Sequence, residues 1–308
     1  MTSVARNESS QADSSSTGRG LAGGSSTVSL DARTIAFVGA GSLAWSLVSG
    51  LLEQSATTPT RLRVCNRSDD GRLERFAALG VRTGRDKRDL LADAHTVVLA
   101  VKPQDAAAAL EQVASLLSPG TLLVSAVAGL PLSFLAASLP GGVHLVRAMP
   151  NTSSLVGASA TAVAAPDGTP QELVAHTMDL FRAVGDVYLV DETLLDAVTA
   201  VSGSGPAYFY YFTETLIEAA REVGLGPELA KALAVQTLQG AAAMLRQDGA
   251  DPARLRAQVT SARGTTEAAL RAMSEMRLAD AIKQAVHSAA RRSAEISAGF
   301  RTQPAKGD

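Results

Sequence analysis

A chain of 308 residues has room for two domains, since a single core seldom grows past ~250 to 300 residues. Hydrophobic side chains make up 46% of it, yet they fall at helix and strand intervals with no run of ~18 apolar residues, which argues against a membrane span. The 28 basic and 30 acidic side chains nearly cancel, so no field draws nucleic acid, and the single cysteine, Cys65, excludes an intrachain disulfide or a cysteine-built zinc site and fits a reducing cytoplasm.

Residues 1–30 are rich in Ser, Gly and Thr and too poor in large apolar residues to build a core, so a disordered tail is expected there. Arg6 and Arg19 among serines leave a transit peptide open, while Glu8 and Asp13 speak against one. From Arg33 to about Val190, apolar strand-like runs alternate with helical stretches, the pattern of a parallel sheet covered by helices. The spacing predicts strands at Thr34 to Val38, Arg61 to Asn66, Thr96 to Val101, Thr121 to Ala126, Val143 to Met149 and Ser159 to Ala164, with Val187 to Val190 as a further candidate. Leu43 to Gln54 and Arg72 to Leu79 read as crossover helices. The expected fold class is α/β: a Rossmann-type doubly wound sheet over 31–190, with its ligand crevice at the carboxyl ends of the strands.

Beyond Asp191 the β-rich runs stop, and an all-helical domain is expected over 191–300, followed by a short tail, 301–308. Helices are predicted at Pro206 to Val223, Pro227 to Gln247, Pro252 to Val259, Thr265 to Met273 and Arg277 to Ser297, each opening near a residue suited to a first turn. Their alanine-rich faces lack the bulk for a private core, so they are expected to pack on another subunit.

Gly39, Gly41 and Ala44 make a G-x-G-x-x-A turn between the first strand and the first helix. The first glycine permits the tight turn, the second lets backbone N–H groups near a pyrophosphate, and the helix dipole faces the phosphates. Ser42 and Leu43 complete this segment. Where a dehydrogenase that uses NAD usually carries Asp or Glu, after the second strand, stand Asn66, Arg67 and Ser68. A guanidinium and a hydroxyl there suit a 2′-phosphate, so NADPH is the expected cofactor, with NADH also usable; the alternative for Arg67 is a solvated surface charge. Ala100, Val101, Lys102 and Pro103 close the third of these strands and are expected to face the cofactor. No metal site is expected.

Five segments together resemble the pyrroline-5-carboxylate reductase family: Gly39-Ala-Gly-Ser-Leu-Ala44, Leu99-Ala-Val-Lys-Pro-Gln104, Arg147-Ala-Met-Pro-Asn-Thr152, Val201-Ser-Gly-Ser-Gly-Pro-Ala207 and Val259-Thr-Ser-Ala-Arg-Gly-Thr-Thr266. The resemblance spans about Thr34 to Ile296. It implies reduction of 1-pyrroline-5-carboxylate to L-proline by NAD(P)H, a homodimer through the helical domain with larger assemblies of dimers, and a substrate loop comprising Val259, Ser261, Gly264, Thr265 and Thr266. Within that loop the resemblance assigns the Thr266 hydroxyl to the ring nitrogen. Independently, Gly264 to Thr266 open a helix, so their N–H groups can bind a carboxylate, or else the segment is a plain cap.

The chain departs from the family pattern at Ala262-Arg263, where Pro-Gly is usual, and at Ser153, where Pro is usual. Asp86 and Lys87 stand near where relatives carry an asparagine on the cofactor ribose. His95, His144, His176 and His287 are dispersed, and no nucleophile with a base at convincing spacing is present. The rival readings are a paralogue acting on another cyclic imine, a β-hydroxyacid-type dehydrogenase, for which only Lys231 and Lys283 offer a general acid, and a non-catalytic regulator that binds NADP.

Overall fold

Ile35, Ala36, Phe37 and Val38 are all fully buried, and alternate side chains enter two different cores, Ile35 and Phe37 one, Ala36 and Val38 the other. A strand that is apolar on both faces has to be covered on both. That is the arrangement in the computed structural model of the chain, which describes residues 30–68 and 70–301. The expected tails lie outside the described residues except for Leu30 and Arg301, and Leu30 already packs in the first core.

In chain order the first part comprises β1 (Ile35–Val38), α1 (Ser42–Glu53), β2 (Leu62–Cys65), α2 (Glu74–Ala77), β3 (Arg82–Gly84), α3 (Lys87–Leu91), β4 (Thr96–Leu99) and α4 (Ala106–Ala114). There follow β5 (Leu122–Ser125), α5 (Leu132–Ser138), β6 (His144–Met149), β7 (Ser159–Ala164), α6 (Gln171–Arg182) and β8 (Gly185–Leu189). One eight-stranded sheet runs in the order β3-β2-β1-β4-β5-β6-β7-β8. The chain turns back at β1 and β4, which makes a doubly wound sheet with its crevice at their carboxyl ends.

Two features depart from the sequence pattern. β3 is only Arg82-Thr-Gly84, an edge strand without apolar alternation, and it carries no periodic signal. β7 runs antiparallel to β6, so the sheet is not wholly parallel. Only Pro150 to Ala158 join the two, too short for the crossover of a dozen or more residues that parallel pairing needs.

After the sheet come α7 (Leu195–Val198), a π-helical turn at Thr199–Gly203, α8 (Gly205–Glu222), α9 (Pro227–Leu245), α10 (Pro252–Gln258), α11 (Thr265–Glu275) and α12 (Leu278–Arg301). The returning α12 ties this part to the sheet: Ser293 and Ser297 donate to Asp196 Oδ1 at 2.6 and 3.2 Å, and Phe300 meets Phe134 at 5.4 Å. Arg147, buried on β6, pairs with Glu192 at 3.0 Å, and the same carboxylate accepts the Leu132 N–H at the start of α5. The remaining helices bury almost nothing. α10 and α11 have no buried residue, α8 only Gly205, and α9 only Ala230 and Ala234. Among the described residues, no helix is long and apolar enough to cross a membrane.

His176 on α6 is buried, with Nε2 2.9 Å from Thr96 Oγ1 and no hydrogen-bond partner for Nδ1 among the described residues. Burial, aided by the charges of Arg33 and His95, lowers its pKa to about 4. The folded protein thus holds a neutral imidazole that the unfolded chain protonates near pH ~6.5. Stability from this group is complete above that value and falls as the pH drops toward 4, by on the order of 3 kcal/mol in all. Urea unfolding between pH 7 and pH 4 should show this decline in the wild type and a shallower one in His176→Gln. Equal slopes in the two proteins would remove His176 from the account.

Candidate cofactor and substrate sites

The turn from β1 into α1 is fixed by a contact that admits no side chain. Gly39 has φ +109°, and a Cβ there would lie 2.5 Å from the carbonyl oxygen of Ala100 at the end of β4. Gly41 differs, because its backbone is ordinary, φ −78° and ψ −173°, and a Cβ would meet only Ala100 O at 4.0 Å. The fold therefore demands glycine at 39 but not at 41, whereas a ligand drawn up to the backbone demands it at 41. Ala44, fully buried, brings α1 close to the sheet.

A cavity of about 330 Å³ opens over this turn, at the carboxyl ends of β1, β2 and β4. Of the residues expected to bind a cofactor, Gly39, Gly41, Asn66, Arg67, Ser68, Ala100, Val101 and Lys102 all line it. Ser42 lines an adjoining crevice together with Gly41, Arg72 and Arg75. Leu43 packs instead against the core, and Pro103 opens the short turn behind Lys102, so neither is on the wall.

Several wall residues lie outside the sequence motifs. Arg72 and Lys87 bring two more cations to the wall that Arg67 lines, and Asp70 brings a carboxylate. The acid missing from the end of β2 is thus partly restored, but it is already engaged by Asn66 Nδ2 at 3.2 Å and by Arg72 Nε at 3.2 Å. Arg67 is largely exposed and reaches Asp105 at 3.2 Å, a surface pair worth only ~0 to 1 kcal/mol that a phosphate can displace. Basic residues just after β2 and in the first turn of α3 were the available signal; only the sheet order reveals that they converge. Asp86 is not on the wall and caps α3 by accepting the Arg88 N–H at 2.9 Å. Burial pushes the Cys65 thiol up to about 11 despite nearby Lys87, so the cavity floor carries a neutral thiol and no nucleophile.

The second segment lies between α10 and α11. Gly264 is the N-cap of α11 and no side chain caps it, which leaves the first-turn N–H groups of Thr265 and Thr266 without a side-chain acceptor. Arg263 has φ +60°, the left-handed conformation that glycine adopts freely, at the position where the family pattern has glycine. Its N–H donates to Glu267 Oε2 at 2.6 Å, which holds the turn. Val259, Ser261, Gly264, Thr265 and Thr266 line neither the cofactor cavity nor the hollow between α10 and α11. Within one chain the structure does not bring the two segments together.

Residues 192–296 match the family model described as pyrroline-5-carboxylate reductase dimerisation, and residues 34–129 match that described as NADP oxidoreductase coenzyme F420-dependent. The chain is 39% identical over 269 residues to pyrroline-5-carboxylate reductase 2 of Bacillus subtilis, covering 87% of this chain and 96% of that protein. The chain belongs to the pyrroline-5-carboxylate reductase family. Among solved members, the reductase of Coxiella burnetii superposes with a TM-score of 0.80 at 36% identity, covering 86% of this chain and 98% of that one. The Plasmodium falciparum pyrroline carboxylate reductase, solved with NADP bound, gives 0.77 at 26% identity with the same coverage. The family's order of a doubly wound sheet followed by helices is the order found here.

The contrast between the two glycines is testable. Gly41→Ala should leave the melting temperature within about 1 °C of wild type, because its Cβ has room, yet weaken NADPH binding roughly tenfold or more by keeping a phosphate from the backbone. Calorimetric titration and a thermal melt measure the two effects. Undiminished NADPH affinity would mean that no ligand approaches the backbone at Gly41.

Proposed function

We propose that the protein reduces 1-pyrroline-5-carboxylate to L-proline with NADPH, the last step of proline synthesis, and that each working site draws on two copies of the chain. The observation that carries the reading is the uncapped first turn of α11, an anion site with no acceptor of its own in a member of this family. NADPH, when bound along the cavity of β1, β2 and β4, supplies the hydride to the imine carbon. The residues have little else to do. The N–H groups of Thr265 and Thr266 hold the substrate carboxylate at the positive end of the α11 dipole. The Thr266 hydroxyl orients the ring nitrogen, which takes its proton from water to become the iminium, so that hydride addition to the carbon alone completes the amine.

Three of the four imidazoles are withdrawn from this end of the sheet. His144 opens β6 and His95 just precedes β4, both at the amino ends of the strands, and His176 is buried and neutral. Arg67 and Lys87 form the counter-charge for the 2′-phosphate, which favours NADPH over NADH. A second copy of the chain covers the exposed faces of α8 to α11 as a homodimer, and in so doing presents its Gly264 to Thr266 turn to the cavity of its partner. The single buried Cys65 fits a cytoplasmic setting.

Oxidation of NADPH followed at 340 nm in the presence of 1-pyrroline-5-carboxylate, with proline as the measured product, tests the reaction. In the same assay Thr266→Ala should lower kcat/KM for the imine by about one neutral hydrogen bond, ~0.5 to 1.5 kcal/mol, with NADPH affinity unchanged. A loss confined to the melting temperature would reduce Thr266 to a structural part of the helix start.

Arg263 keeps a second reading in play, since a cation beside the substrate loop can alter which cyclic imino acid is held. Arg263→Gly should relieve a left-handed residue and raise stability by ~1 kcal/mol. Retained proline formation places Arg263 outside substrate choice, whereas a changed preference among cyclic imines marks a specialised member of the family.

A further inference from the structure

Arg75 stands on the short helix α2, outside the glycine-rich motif, yet its Nη2 donates to two carbonyls of that turn, Ala40 O at 3.0 Å and Gly41 O at 3.1 Å. Its guanidinium carbon lies 4.8 Å from the ring centroid of Trp45 and 5.1 Å from that of Phe76. These rings pack edge to face, 5.4 Å apart. Phe76 is fully buried, and Trp45 follows Ala44 in the first turn of α1. An arginine packed against two aromatic rings is held in position before any ligand arrives.

The direction of its bonds gives this arrangement a consequence. A peptide unit is planar and trans, so a carbonyl and the N–H of the following residue point opposite ways. Drawing the Ala40 carbonyl toward the guanidinium turns the Gly41 N–H away from it, and drawing the Gly41 carbonyl does the same for the Ser42 N–H. These are the N–H groups that a helix start offers to a phosphate. The Gly41 carbonyl also accepts the Trp45 N–H at 3.1 Å, so the first turn of α1 is fixed by the same unit.

We propose that Arg75, clamped on Trp45 and Phe76, is the positioning residue of the cofactor turn: it holds back the carbonyls of Ala40 and Gly41 so that the Gly41 and Ser42 N–H groups face the pyrophosphate of a dinucleotide. The inference rests on the reading of the cavity as the NADPH site. It concerns the pyrophosphate alone, and the 2′-phosphate end with Arg67 and Lys87 is independent of it.

Calorimetric titration of the full chain with NADPH and, separately, with adenosine 2′-phosphate, which lacks the pyrophosphate, separates the two ends. Arg75→Met and Arg75→Lys are the variants, because lysine keeps the charge but cannot reproduce the planar guanidinium held against two rings. Both should bind NADPH roughly tenfold more weakly than wild type, with affinity for adenosine 2′-phosphate unchanged. Full NADPH affinity in Arg75→Lys would show that charge alone acts, and full affinity in Arg75→Met that the residue is idle; either overturns the proposal. So would a parallel loss of both ligands, which marks a merely structural role. Failure of the wild type to bind NADPH would instead overturn the reading of the cavity itself.

Discussion

Helices α8 to α11 carry apolar faces for which their own chain has no cover, and the rest of the arrangement follows from that imbalance. Phe209 and Tyr211 are 58% and 73% exposed, and Leu229 and Leu233 on α9 are about half exposed. Each large side chain left in water forgoes ~1.5 to 3 kcal/mol of burial, and contiguous patches of this kind mark an interface. A second copy is the occupant that the matched dimerisation family indicates. The turn at Gly264 to Thr266 belongs to this helical part, so on this account the same docking that buries the helices also delivers the substrate loop.

The two halves of the site are held by different means. The cofactor half is rigid because the carboxyl ends of β1 and β4 come so close that only a glycine fits at position 39. Around that contact, Arg75 grips the turn, and Arg67, Arg72 and Lys87 add positive charge to the cavity wall. The proposed substrate half depends on one helix start, with Arg263 in a left-handed conformation beside it. Hydride transfer to an imine needs orientation and a carboxylate anchor more than acids, bases or nucleophiles.

What the sequence made legible was whatever is written contiguously. The apolar runs of β1, β4 and β5 declare strands covered on both faces, and Gly39, Gly41 and Ala44 sit in register with the strand before them and the helix after. Residues brought together by topology were not legible. Asp70 and Arg72 reach the cavity from the irregular loop after β2, and Lys87 does so because β3, three residues without an alternating pattern, lies beside β2. Strand direction was equally hidden, since the period of Ser159–Ala164 is the same whichever way it runs, and the short link from β6 decides it. Leu43 adds a second point: membership of a motif does not place a side chain on the cavity wall, because on the first turn of α1 that side chain packs against the core. The helix start at Thr265 was readable from its residues, but its separation from the cavity within one chain was not.

The central claim, that cofactor and substrate segments of one site come from different chains, is tested most directly by mixing two inactive variants. Gly41→Asp sets a carboxylate against the pyrophosphate, and Thr266→Glu sets one against the substrate carboxylate at a helix start that tolerates acidic residues. Each should be inactive alone. After unfolding and refolding as an equimolar mixture, half of the dimers carry both variants and each has one intact site, so activity should return to about one quarter of wild type. No recovery, with dimers of both chains demonstrably present, would place the whole site within a single chain and contradict the account.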